Sequence, residues 1–248
     1  MVGTLRAVGL ATLALLGAGL IGCEFANDLV AAGYGVHVID PAPRPLGRLL
    51  PEAAAQRLQQ ALAATGVVWH LGTTARTVSR SAAGLRLELA DGTALEVDAV
   101  LSAVGLRPRT QLAQRAGLKV NRGIVTDRLL QTSAAAVYAL GDCAEVDGQI
   151  LPYVLPLMQA ARALAQTLAG TATQLVYPAM PVVVKTPAMP VVVCPPPALP
   201  GSWKLQQDAG GIEARFEDDS GRLLGFALVG NATARKQALT KLVPPLLA

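Results

Sequence analysis

Aromatic residues are scarce in this chain: three Phe, two Trp and four Tyr among 248 residues. With hydrophobic residues at 52%, the core must be built from Ala, Leu and Val. Cysteine is rarer still. Cys23, Cys143 and Cys194 form no C-x-x-C pair, which excludes a disulfide framework and a redox-active dithiol. They read as small buried hydrophobes. The two histidines, His37 and His70, lie in apolar, strand-like stretches. Without a Cys/His cluster no metal site is expected, and no Ser–His–Asp arrangement is supported. Charge of one sign is not concentrated anywhere. The 21 basic and 17 acidic residues give a net charge of +4, and the basic ones are scattered, so nucleic acid is not an expected partner. A mildly basic surface could still steer an acidic protein. The uncharged run from Ala7 to Cys23 is shorter than the about 20 apolar residues of a spanning helix. A membrane is therefore not expected as a partner, and a cytoplasmic location is.

What the chain does have is order between Leu10 and Asp40. An apolar run is followed by Gly17-Ala18-Gly19-Leu20-Ile21-Gly22, a helix-like stretch from Phe25 to Ala32, a break at Gly33-Tyr34-Gly35, and the strand-like Val36 to Asp40. Strand, G-x-G-x-x-G turn, helix and acid-ended strand build a dinucleotide site. Gly17 permits the tight turn, Gly19 lets the backbone approach a pyrophosphate, and Gly22 lets the helix pack close to the strand. The helix N-terminus offers free N–H groups and a positive dipole end to phosphate. Asp40 stands where a carboxylate would accept hydrogen bonds from the adenosine ribose.

The same letters admit a second reading. Arg6, an uncharged run and Leu20-Ile21-Gly22-Cys23 look like a lipoprotein signal peptide and its cleavage site. Cys23 would then anchor a lipid on an envelope protein. The helix- and strand-like residues after Cys23 argue against this, because a mature lipoprotein begins with a polar tether.

Further along, Pro51 to Thr65 has helical spacing, and Val67 to Leu71 is strand-like. Thr77 to Leu89 and Thr93 to Val97 read as antiparallel strands around Asp91-Gly92, and Asp98 to Val104 as another strand. Residues 10–104 thus form an α/β unit with a mainly parallel sheet. The middle part, 105–172, contains an apolar strand ending near Asp142 and an Ala-rich helix from Leu155 to Leu168. In 173–248, Pro-Ala-Met-Pro-Val-Val-Val occurs twice, at 178–184 and 187–193, and reads as two short strands, each opened by Pro. Three more strands and a helix from Asn231 to Leu242, with Asn231 as its N-cap, complete a small α+β domain.

These motifs occur in a telling order. G-x-G-x-x-G with Glu24 two residues on, "SAVGLRPRT" (Ser102–Thr110) and "VYALGDCAE" (Val137–Glu145) resemble the two-dinucleotide flavoprotein reductases. "YPAMPVVVKTPAMPVVVCPPP" and "GSWKLQ" are similar to the C-terminal domain of bacterial rubredoxin–NAD reductases. The resemblance implies a Rossmann-like NAD-binding domain over 10–104, the C-terminal part of an FAD-binding domain over 105–172, and a reductase-type α+β domain over 173–248. It implies NADH and FAD as cofactors, and electron transfer from NADH through FAD to rubredoxin or a similar small acidic carrier. Gly17, Gly19 and Gly22 would hold the NADH pyrophosphate, and Glu24 would lie near the nicotinamide. Asp40 would favour NADH over NADPH, with Arg44 and Arg48 weakening that preference. Gly105 would pass close to bound cofactor. Gly141 and Asp142 would hold the flavin ribityl chain, and the helix start at Val154 would face the flavin pyrimidine edge. Hydride would pass directly to the flavin, so no side chain need act as acid or base.

Such reductases open with a further FAD-binding unit, and this chain looks like their last three-fifths. The middle segment, lacking the sheet it would pack on, is expected to expose apolar surface. An NAD(H)-binding fragment without catalysis is therefore the alternative reading. Arg235, Lys236 and Lys241 are candidates to meet an acidic carrier, or form a solvated face.

Overall fold

The first strand is built from alternating small and branched apolar residues, Thr12–Leu16 (β1), and it ends where Gly17 turns the chain. In the computed structural model, which describes residues 11–82 and 84–247, β1 is followed by α1 (Leu20–Ala31), β2 (Gly35–Asp40), α2 (Glu52–Ala64) and β3 (Val67–Leu71). The chain then passes through β4 (Ala75–Ser81), β5 (Gly84–Leu89) and β6 (Ala94–Val97) to β7 (Ala99–Ser102). Strands β3-β2-β1-β7 pair in parallel, with β1 central. On one sheet face Leu13, Leu15, Val36 and Val38 join the α1 and α2 residues Cys23, Ala26, Leu29, Leu58 and Leu62 in one buried cluster. On the other, Ala14 and Ile39 pack against Leu87, Leu89 and Val97 of the antiparallel sheet β4-β5-β6.

The chain divides into two compact units: residues up to Gly105 with Pro181–Val243, and Leu106–Met180 with Pro244–Ala248. The segment 173–248 is thus shared between them. In the first unit, β10 (Val182–Val184), β11 (Val191–Cys194), β12 (Ser202–Gln207), β13 (Gly211–Glu217) and β14 (Leu223–Gly230) form an antiparallel sheet in the order β10-β11-β14-β13-β12. The repeated Pro-Val-Val-Val segments are its first two strands, each entered directly after its proline. Val184, Val191, Val193, Ile212 and Val229 share the buried cluster of α1 and α2.

The second unit holds α3 (Gln111–Arg115), the parallel pair β8 (Ile124–Thr126) and β9 (Ala144–Val146), and α4 (Val154–Leu168). Leu130, Val146, Ala160, Leu164, Leu175, Tyr177 and Leu247 form its core. Apolar surface stays open there, as expected: Leu106, Leu112, Val154, Leu155 and Leu168 are all exposed.

Three local expectations differ from the structure. Thr77 to Leu89 is two strands, β4 and β5, paired as a hairpin from Ser81–Gly84 outward. No continuous strand precedes Asp142 among the described residues. Tyr138 makes one bridge to Gln131, and Gly141–Cys143 is a 3₁₀ turn. Asn231 does not cap a long helix. Gly230, at φ +65°, starts a 3₁₀ turn over Asn231–Arg235 that continues as the short α5 (Lys236–Thr240).

Candidate functional site

In the first unit, the three glycines of the β1–α1 turn meet different surroundings. Gly17 sits at φ +109°, and a Cβ there would stand 2.5 Å from the Ala103 carbonyl oxygen at the exit of β7. A Cβ on Gly22 would run into the Gly17 carbonyl oxygen. Both are needed for the turn to lie against helix and sheet. Around Gly19 nothing lies within 4 Å of where a Cβ would be. Gly19 is also the N-cap of α1, with no capping side chain and no acid in the first helical turn. The start of α1 thus combines uncompensated N–H groups with open space directly above the backbone, which is the shape and charge an anionic phosphate group requires. By contrast α2 carries Glu52 in its first turn.

Asp40 closes this turn from the side. Its Oδ2 accepts the Ala18 N–H at 2.6 Å and its Oδ1 the Ala42 N–H at 2.7 Å. The Ala18 carbonyl takes the Leu46 N–H at 2.9 Å. Both backbone groups of Ala18 are therefore fixed, one from the last residue of β2 and one from the segment that follows it, a positioning role the spacing alone did not reveal. Arg44 is engaged by Glu52 at 3.2 Å, while Arg48 is exposed. Gly105 lies at φ +99° with open space where a side chain would be.

Glu24 is half-buried, and its Oε1 accepts the Lys185 N–H at 2.8 Å. One turn on, Asn27 Oδ1 accepts the Ala188 N–H at 3.1 Å. Together they hold the β10–β11 turn against α1. Sequence reading missed Asn27; its spacing of three from Glu24 on an otherwise apolar face was the available signal. Cys23, directly before Glu24, is fully buried inside α1. Burial, with the nearby charges of Asp40 and Glu24, pushes its thiol up to about 12. A lipid-bearing Cys23 is incompatible with this helix. The Met1–Leu10 part of the signal-peptide reading lies outside the described residues.

In the second unit, Gly141 (φ +79°) and the exposed Asp142 form the 3₁₀ turn before β9. Val154 opens α4 at 73% exposure, and the helix start again has neither a capping side chain nor an acid in its first turn. Glu145 is buried. It accepts the Asn121 side-chain amide and the Gly123 N–H, each at 2.9 Å, and the Gly123 bond above all holds its carboxyl below the usual range. Of the expected carrier-facing cations, Arg235 is tied to the buried Glu213 at 2.9 Å, which also binds Arg215.

A family profile described as pyridine nucleotide-disulphide oxidoreductase matches residues 3–167. A second, described as rubredoxin binding C-terminal domain, matches residues 174–243. The rubredoxin-NAD(+) reductase of Alcanivorax borkumensis is 51% identical over 241 residues, 96% of this chain and 63% of that protein. That of Acinetobacter baylyi is 51% identical over 238 residues, 94% of this chain and 60% of that protein. Among solved structures, a ferredoxin reductase from Rhodopseudomonas palustris superposes with a TM-score of 0.83 at 25% identity, covering 93% of this chain and 59% of that one. The chain spans about three-fifths of the length of the curated relatives it matches.

Proposed function

The chain belongs to the pyridine nucleotide-disulphide oxidoreductase family, and from that premise we propose that it is an NADH-dependent flavoprotein reductase acting on rubredoxin or a similar small acidic electron carrier. The observation that carries this reading is the 51% identity to two rubredoxin-NAD(+) reductases along nearly the whole chain, with the rubredoxin-binding profile matched directly after the oxidoreductase one.

The residues fit an NADH site and the ribityl and pyrimidine part of an FAD site. The N–H groups at the start of α1 and the open space above Gly19 suit a pyrophosphate, with Gly17 and Gly22 shaping the turn. Asp40 holds Ala18 in place and retains lone pairs for ribose hydroxyls. Its negative charge favours NADH over a 2′-phosphorylated nucleotide, and Arg44, paired with Glu52, offsets that less than a free cation would. Glu24 and Gly105 would lie on the nicotinamide side. For FAD, Gly141 and Asp142 would hold the ribityl chain, and the uncapped start of α4 at Val154 would orient the pyrimidine edge. When bound, NADH supplies a hydride, and FAD accepts it and passes electrons on one at a time. The chain's own residues bind and orient, and none is required as an acid or base.

Three free thiols suit a reducing compartment, which supports a cytoplasmic location. No helix among the described residues is long and apolar enough to cross a membrane.

The test is the visible spectrum of the purified chain, with the supernatant after denaturation assayed for flavin. A yellow protein that NADH bleaches, and whose electrons reach rubredoxin, is expected. A colourless chain that binds NADH but reduces no carrier even with FAD added would overturn the reductase reading and leave a nucleotide-binding module.

A further inference from the structure

The chain contains two histidines, and the fold brings them together from 33 positions apart. In the parallel pairing of β2 with β3, His37 stands opposite Val68 and Ile39 opposite His70, so both imidazoles share one sheet face. The rings lie nearly end to end, with centroids 5.3 Å apart and planes 27° from parallel. His37 Nδ1 lies 3.1 Å from His70 Nε2. Both side chains are half-buried, held by the sheet yet open to solvent.

Burial disfavours the charged form of both imidazoles, and metal binds the neutral form. The Asp91 carboxylate pulls His70 the other way, which places a negative potential beside the pair. Two neutral rings can share one hydrogen bond at this distance. The same separation suits two ligands of a single ion once the half-exposed rings tilt so that both lone pairs converge on it. Nitrogens each about 2.0–2.1 Å from a tetrahedral zinc stand roughly 3.3 Å apart.

We propose that His37 Nδ1 and His70 Nε2 form a chelate for a borderline-soft divalent transition ion of the zinc and nickel class. Imidazole pairs select such ions over magnesium and calcium. The ring whose facing nitrogen carries hydrogen shifts that proton to its far nitrogen, so each facing nitrogen gives a lone pair and no proton is released. No third His, Cys, Asp or Glu completes a cluster among the described residues, so water fills the remaining positions and the ion is exchangeable.

The experiment is calorimetric titration of the full chain with zinc chloride and nickel chloride, beside His37→Gln, His70→Gln and Cys143→Ser. One equivalent is expected to bind. Affinity should fall at least about tenfold in each histidine variant and stay unchanged in Cys143→Ser. Far-UV circular dichroism checks that the variants fold. If a glutamine variant does not, the wild-type imidazole NMR spectrum decides, because it contains two ring systems only. Both should shift with one equivalent of zinc. Absence of saturable binding below about millimolar zinc, binding retained in either histidine variant, loss in Cys143→Ser alone, or imidazole signals unmoved by zinc would each overturn the assignment.

Discussion

Gly19 and Gly22 stand three residues apart and divide the work of the turn between them. The position of Gly22 is set by packing, because any side chain there meets the Gly17 carbonyl. Gly22→Ala should cost about 1–3 kcal/mol, seen as a fall in Tm of roughly 2–4 °C per kcal/mol for a chain of this size. Gly19 is set by its open surroundings, and its backbone is already in an ordinary extended conformation. Gly19→Ala should cost only the about 0.5–1 kcal/mol of replacing an N-cap glycine while weakening NADH about tenfold, roughly 1.4 kcal/mol. A fluorescence titration beside a thermal melt separates the two. Equal loss of stability in both variants would refute the division. The cysteines offer a second residue-scale check. Burial pushes Cys23 up to about 12 and Cys194 up to about 11, while Cys143 is half-exposed. At pH 8 a thiol reagent should therefore modify one cysteine in the native chain and three after denaturation. More than one fast-reacting thiol in the native chain would contradict the burial.

Among the elements, the β8–β9 pair depends on one carboxylate. Both partners of Glu145, the Asn121 amide and the Gly123 N–H, are donors. Glu145→Gln keeps a carbonyl for the buried Gly123 N–H, and the exposed Asn121 amide can turn its oxygen to the new NH₂ group, so charged hydrogen bonds become neutral ones at a cost of about 1 kcal/mol. The carboxyl lies below its ordinary value of 4.5 in the fold, so the unfolded chain takes up the proton first. Its contribution is present above pH 4.5 and is lost as pH falls through the lowered folded value. Melting curves across that window should show a steeper acid loss in wild type than in Glu145→Gln, and parallel curves would rule the contribution out. Glu145 was legible only as part of a motif, because burial of a charge depends on neighbours 22 and 24 residues away. Elements with local causes read more easily. Val67–Leu71 was bounded correctly, and both Pro-Val-Val-Val strands were found, since proline at an edge and β-branched runs are local signals. Where tertiary geometry decides, as in the hairpin closed at Gly84 or the 3₁₀ turn after Gly230, sequence pattern named the wrong element.

At the scale of the molecule, the C-terminal sheet reads in sequence as a separate domain, yet its buried face belongs to the unit that carries the glycine turn. One cluster runs from Leu15 and Val38 through Cys23 and Leu58 to Val191, Ile212 and Val229. Polar ties fix the same surface: Glu24 to Lys185, Asn27 to Ala188, and the Arg57 guanidinium to the Asp208 and Ala209 carbonyls. Composition could not reveal this, because a Val-rich strand has the same pattern whether it covers its own sheet or another element's helices. A chain ending at residue 173 would lose that cover. Each large aliphatic side chain uncovered costs about 1.5–3 kcal/mol, so losing only a few such contacts matches the about 5–15 kcal/mol that holds a typical domain folded. The fragment is therefore expected to bind a hydrophobic dye, to lack a cooperative melt and to fail to bind NADH, although every glycine of the turn is present. A soluble fragment that melts cooperatively and binds NADH like the full chain would show instead that the sheet is a detachable module.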